Sequence, residues 1–205
     1  VPDARLPIES VGRLFAECAS LSKCPHFGLL VGERFSLDSL GPLGELMRAS
    51  PSVGSALRHL LQHLPMADRS AAPMLLLLLP PEGSTAVLGY SLYSHATPHT
   101  RYIYDTVVAI AHRILLALCG DAFVPVGAQF PMRRPVSVDA YQRMFRAPLN
   151  FDAEVAGVVF DASWLARPIA GADPVSYEAL LEVMQQALAW SSITLGEKVE
   201  TTLHQ

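Results

Sequence analysis

The sequence predicts an α+β fold with N-terminal helices, a mainly antiparallel sheet covered by a long helix, and a C-terminal helix. Three observations carry that prediction. Apolar residues recur at helical spacing through the first sixty-odd positions. From Met74 the period shortens to that of strands around a turn-rich Pro80-Pro81-Glu82-Gly83-Ser84. Arg101 to Cys119 then gives a long helix whose apolar stripe is wide enough to lie across a sheet.

Each element follows from its residues. Pro7 suits a first helical turn, and Val11, Leu14, Phe15, Cys18 and Leu21 follow at helical intervals until Ser22 to His26 interrupts them. Asp38 and Ser39 offer caps for a short helix with Leu40, Leu43, Leu46 and Met47 on one face. Ser50-Pro51-Ser52 restarts the pattern, a cap followed by proline at the first helical position. Behind it Val53, Ala56, Leu57, Leu60, Leu61 and Leu64 form a stripe, with Arg58, His59 and His63 off it. Pro65 is expected to end this helix or to follow its end closely. The glycines at 28, 32, 41 and 44 fit turns and caps between short helices.

Met74 to Leu79 and Thr85 to Tyr93 read as a β-hairpin. In its second strand Leu88, Tyr90 and Leu92 share one face, and Val87, Ser91 and Tyr93 the other. The unbroken apolar first strand implies cover on both of its faces. In the long helix Ile103, Val107, Ile110, Ile114 and Leu118 form the stripe and Tyr104, Val108, Ala111 and Leu115 widen it, with Gly120 as the stop. Strands at Val124 to Phe130 and Val155 to Phe160, a short helix at Ser137 to Phe145, and a last helix from Pro174 to about Ala189 complete the pattern.

Composition narrows the function. Hydrophobic residues at 51% and charged residues at 17% describe a chain with a large core to bury. A formal net charge of −4 argues against a basic face that grips phosphates, so contact with DNA, if there is any, must come from elsewhere. Cys18, Cys24 and Cys119 are odd in number and irregularly spaced, which suggests reduced thiols in a cytoplasmic protein. No basic-then-apolar signal peptide opens the sequence. Met74 to Leu79 is too short for a bilayer, and Ile103 to Leu118 carries Asp105, His112 and Arg113, so no membrane partner is expected.

No motif assembles a catalytic or cofactor site. G-x-S-x-G, the Walker loop, G-x-G-x-x-G and H-E-x-x-H are all missing, so neither a cofactor nor an enzyme is expected. Cys18, Cys24 and His26 fall short of four ligands at zinc spacing. His95 and His99 are four apart, but Pro98 between them argues against one regular helix, and no metal is expected there either.

Several segments together resemble the N-terminal domain of the AraC family of bacterial transcription regulators, in its ornithine-utilisation-regulator-like branch. They begin with His26-Phe27-Gly28-Leu29-Leu30-Val31-Gly32-Glu33-Arg34-Phe35. Leu40-Gly41-Pro42-Leu43-Gly44 is similar to the family's LG.LG element, and Ser50-Pro51-Ser52-Val53-Gly54-Ser55-Ala56-Leu57 to its SPT-x-G-x-AL helix start. Tyr141, Phe145, Pro148-Leu149-Asn150-Phe151, Phe160-Asp161-Ala162-Ser163-Trp164-Leu165 and Arg167-Pro168-Ile169-Ala170-Gly171-Ala172-Asp173-Pro174 follow in the family's order. Gln129-Phe130-Pro131-Met132-Arg133-Arg134-Pro135 departs from it, because relatives tend to carry a histidine after the strand's aromatic residue. An effector known for a relative is therefore not carried over.

The resemblance implies an effector-sensing and dimerisation domain over residues 1–190. Residues 191–205 would hold the linker and the start of a helix-turn-helix DNA-binding domain, through which alone DNA would be bound. The implied partners are a small-molecule effector and a second copy of the chain, with Leu180, Leu181, Met184, Leu188 and Trp190 of the last helix as a candidate dimer surface. A ligand-sized pocket between sheet and helices is expected beside the helix Arg101 to Cys119, which is apolar over more than half its circumference, and such pockets are mostly apolar with a few placed polar groups. Candidate ligand contacts are Tyr90, Tyr93, His99 and Tyr102, with Gln129, Arg133, Arg134 and Trp164; the arginine pair would suit an anionic effector. A ligand-free dimerisation module and a small α+β enzyme stay open as alternatives. A sealed core would favour the first, and a convergent cluster of perturbed acids, or a histidine beside a nucleophile in a cleft, the second.

Overall fold

The helical half takes its boundaries from caps and turns. In the computed structural model, which describes residues 6–67, 71–78, 84–93 and 99–186, helix α1 spans Ile8–Leu21 and α2 spans Phe27–Glu33. Lys23 closes α1 in the left-handed region at φ +52°, where the Cys24 N–H reaches back to the Ala19 carbonyl at 2.9 Å and satisfies an orphan acceptor. A 3-10 turn at Leu37–Leu40 follows, capped by Ser36, whose hydroxyl accepts from the Asp38 N–H at 3.2 Å. Helix α3 covers Pro42–Ala49 and α4 covers Val53–Ala67.

The restart at Ser50 falls two residues later than its sequence suggests. Ser50 closes α3, its hydroxyl donating to the Leu46 carbonyl at 2.8 Å. Ser52 caps α4 instead, accepting from the Ser55 N–H at 3.2 Å while Ser55 accepts from the Ser52 N–H at 3.2 Å. This is a capping box with serine in the place of glutamate. Pro65 does not end α4, which runs on to Ala67, because a proline in the last turn costs only one backbone bond.

Gly28, Gly32 and Gly44 also differ from expectation, since they lie inside helices rather than at turns. Gly28 and Gly32 are one turn apart on α2, where α5 (Thr100–Cys119) crosses. A Cβ on Gly28 would sit 2.3 Å from the Tyr102 carbonyl oxygen, and one on Gly32 would sit 2.4 Å from that of Thr106. Thr106 marks the close approach by donating its hydroxyl to the Gly28 carbonyl at 3.0 Å. Gly41, at φ +56°, is the turn glycine.

Among the described residues, five strands form one sheet in the order β1-β2-β5-β3-β4, with β1 at Ala71–Leu78, β2 at Thr85–Leu92, β3 at Gly127–Gln129, β4 at Leu149–Asn150 and β5 at Ala156–Asp161. All neighbours are antiparallel except β3 with β4. The α+β expectation therefore holds. Cover on both faces of β1 does not: β1 is an edge strand, and Leu77 is 58% exposed between partly exposed Leu76 and Leu78. Only Ala71 at its start is fully covered; consecutive leucines at an edge give β propensity without a second layer. Strand β3 is shorter than Val124 to Phe130, because Pro125 has no N–H to give and pairing begins with the Val126 N–H bonded to the Val159 carbonyl at 2.8 Å.

Helix α5 lies across β2 and β5 and is gripped from the other side by α2. It is long and apolar enough to cross a membrane, and half of that stretch is buried inside the protein. Helix α6 (Asp139–Phe145) sends Tyr141 and Phe145 into an aromatic cluster with Phe130, at ring distances of 5.2 and 5.7 Å. A 3-10 turn at Ala162–Ala166 precedes a final helix, α7, helical through residues 174–186. Leu188, Trp190 and the expected 191–205 segment lie outside the described residues.

Candidate functional site

Because α5 is held on two sides, its residues divide by helical angle. Val107, Ile110, Ala111 and Ile114 face the sheet; Asp105, Ala109 and His112 face away from it, and Thr106 lies to one side, toward α2.

On the sheet side the helix does not close onto the strands. A cavity of about 260 Å³ lies between α5, the hairpin and β5. Its floor is the β2 face predicted from alternation, Leu88 and Tyr90, with the cross-strand neighbours of Tyr90, Pro73 and Ala156. Leu60 and Leu64 of α4 form one wall, and Phe35 with Leu40 of the 3-10 turn another. Small side chains at Ala111 and Ala156 leave space that a leucine or phenylalanine would fill. Val107, Ile110 and Ala111 are only half-buried although apolar, the mark of a face that meets a void instead of a partner. Of the fifteen described residues lining the cavity, Tyr90 alone carries a polar side chain.

On the opposite side α5 buries polar groups. Asp105 is 0% exposed and accepts from the Tyr141 hydroxyl at 2.8 Å, with the half-exposed Arg101 guanidinium 3.9 Å away. Burial raises the Asp105 carboxyl from 3.8 to about 7, against the lowering effects of the Tyr141 hydrogen bond and Arg101. Burial together with the Asp105 charge likewise raises the Tyr141 phenol. His112, packed 5.2 Å from the Phe145 ring, is held down to about 4 by burial and by Arg113. None of these groups is among the described residues that line the cavity.

The structure brings one of the eight expected contacts to the cavity, Tyr90. Tyr93 is exposed at the end of β2, and His99 is exposed in the left-handed region at the start of α5. Tyr102 is half-buried on the first turn of that helix. Gln129 sits in β3 opposite Gly157. Arg133 and Arg134 are exposed, the latter over the Phe151 ring at 5.8 Å. Trp164 is a core residue, edge-on to Phe123 at 5.4 Å and covered by the Arg167 guanidinium at 3.8 Å. His95 lies outside the described residues.

The wall that sequence reasoning missed, Leu60 and Leu64, read as an ordinary core stripe, whereas the cavity does lie beside α5, whose wide apolar stripe pointed to it. Missed too was the hydrogen bond between His59 Nε2 and the Tyr177 hydroxyl at 3.0 Å, which ties α4 to α7.

Comparison with known proteins agrees with this architecture. A search of curated proteins finds no match. Among solved structures, the transcriptional regulator CdpR from Pseudomonas aeruginosa is similar in fold, with a TM-score of 0.65 at 20% identity over 76% of this chain. The chain spans 50% of the length of that regulator. A family model described as the arabinose-binding domain of AraC transcription regulators, N-terminal, matches residues 1–169. That family is one of transcription regulators, not enzymes. The match covers most of the 205 residues, and the chain belongs to the family of arabinose-binding N-terminal domains of AraC transcription regulators.

Proposed function

We propose that this chain is the sensing part of a bacterial transcription regulator, in which a small effector occupies the cavity under α5 and so controls DNA binding or activation by a helix-turn-helix domain beyond residue 190. The cavity carries this reading. A module that served dimerisation alone would gain from filling a void of about 260 Å³, since empty apolar space costs stability in proportion to its volume. Free thiols at Cys18, Cys24 and Cys119 support action in the reducing cytoplasm. The intact regulator acts as a homodimer, and the half-buried Leu180 and Leu181 with the exposed Val183 of α7 supply apolar surface for the contact.

A thermal-shift screen of the 205-residue chain against amino acids, sugars, nucleotides, fatty acids and small aromatics tests the reading, run beside Ala111→Phe, which fills the cavity. Compounds that raise Tm of the parent and leave the filled variant unmoved support it. Hits that act equally on both proteins, or no hits at all, would overturn it.

A further inference from the structure

We infer that the effector is an apolar molecule of roughly ten non-hydrogen atoms with at most one polar end, and not a sugar. The inference rests on the sensing role of the cavity and names the chemistry that the cavity accepts. A dry apolar cavity of about 150 Å³ holds a benzene, so the 260 Å³ here accommodates on the order of ten heavy atoms.

The lining decides their character. Leu60, Leu64, Leu88, Val107, Ile110 and Ile114 present only carbon. The sheet backbone at the floor is already engaged, Gly89 pairing with Met74 on one side and Gly157 on the other. The α5 backbone is spent within its own helix. Among the described lining residues Tyr90 carries the one polar side chain. Each sugar hydroxyl without a partner would weaken binding by roughly five-fold or more, and a pentose carries several. Each buried methylene, by contrast, tightens binding about four-fold. Among the described residues, no positively charged side chain lines the cavity: Arg101 and Arg143 line a separate groove beside α6, and Arg133 and Arg134 stand in solvent.

The test is a homologous series. The 205-residue chain is titrated by calorimetry with straight-chain primary alcohols from butan-1-ol to decan-1-ol, and separately with L-arabinose. Affinity should rise about four-fold per methylene and stop rising once about ten heavy atoms fill the space. Arabinose should produce no heat of binding at millimolar concentration. Ile114→Ala, which enlarges the cavity, should move the limit to a longer alcohol, and Ala111→Phe should shorten it; either variant suffices if the other fails to fold. Arabinose binding that Ala111→Phe abolishes, with alcohols showing no dependence on length, would overturn the apolar class and leave the sensing role standing. If neither alcohols nor arabinose bind the parent chain, both the class and the sensing role of this cavity fall.

Discussion

Asp105→Asn should stabilise the chain at pH 8 and leave it nearly unchanged at pH 4. Asp105 is buried completely in the middle of a helix, yet its carboxyl finds one hydrogen bond, from Tyr141, and one distant cation, Arg101. Its oxygen Oδ2 has no hydrogen-bond partner among the described residues. Burial outweighs both partners and lifts the group from 3.8 to about 7. A carboxyl raised in the folded state holds its proton where the unfolded chain releases it, so its favourable contribution is complete below about pH 4 and is lost as pH rises to about 7. A rise of about three pH units at about 1.4 kcal/mol each makes the ionised group cost about 4 kcal/mol at pH 8. Asparagine keeps an acceptor for Tyr141 and removes the charge, and the attraction to Arg101 is already contained in the net rise to about 7. The expected gain is about 4 kcal/mol, a rise of roughly 1–2 M in the urea midpoint.

The comparison must be made between variant and parent, not read from the parent alone. His112 is held down to about 4, so its neutral folded form loses stability as pH falls below the ordinary 6.5 of histidine. Between pH 4 and 6.5 the two groups impose slopes of about 1.4 kcal/mol per pH unit of opposite sign, and His59, also held toward its neutral form, adds to the side of His112, so the parent profile does not isolate Asp105. Subtracting the parent removes His112 and leaves Asp105. Urea unfolding at pH 4, 5, 6, 7 and 8 measures the difference. A difference that does not change with pH, or an asparagine variant less stable than the parent at pH 8, would refute the reasoning.

Gly32→Ala should destabilise by about 1–3 kcal/mol or more despite the better helix propensity of alanine, because the new methyl would meet Thr106 and Ala109 of α5 at 2.4 and 2.5 Å; thermal melting of the variant checks it. Tyr177→Phe should cost about 0.5–1.5 kcal/mol by removing the bond to His59 and should raise hydrogen exchange in residues 174–186 more than in α5. Arg167→Ala should red-shift the emission of Trp164 by baring one face of its ring, at about 0.5–1 kcal/mol in stability, read by fluorescence and urea titration together.

What the sequence disclosed, and what it hid, divides along physical lines. The alternation Leu88-Gly89-Tyr90 placed the cavity floor correctly, since a strand's period of two assigns faces without further information. Periodicity likewise found α5 to within one residue. Yet a stripe cannot tell an apolar residue that meets a partner from one that meets a void, and Ala111 and Ile110 therefore looked like core. The burial of Asp105 was not legible because nothing local reveals that α2 covers that side of α5; the cover depends on Gly28 and Gly32, whose missing side chains read as turn signals. Arg133 and Arg134 drew attention as a charge pair, but a turn after β3 holds them in solvent, away from the cavity.

One helix joins the cavity to the end of the described chain. Helix α4 lines the cavity with Leu60 and Leu64, and His59, adjacent to Leu60, holds Tyr177 of α7. His63 steadies the arrangement by donating from Nδ1 to the His59 carbonyl at 2.8 Å, and burial keeps His59 toward its neutral form. Met184, two turns after Tyr177, packs on the same core. Coupling between an effector and a second site in regulators is typically about 1–3 kcal/mol, and one hydrogen bond of this kind is worth about 1 kcal/mol. A single contact between α4 and α7 is thus of the same order as the whole signal. A ligand that presses on Leu60 and Leu64 needs to shift α4 only enough to spoil the 3.0 Å contact at His59 for the balance of α7 to change, with no large movement of the sheet.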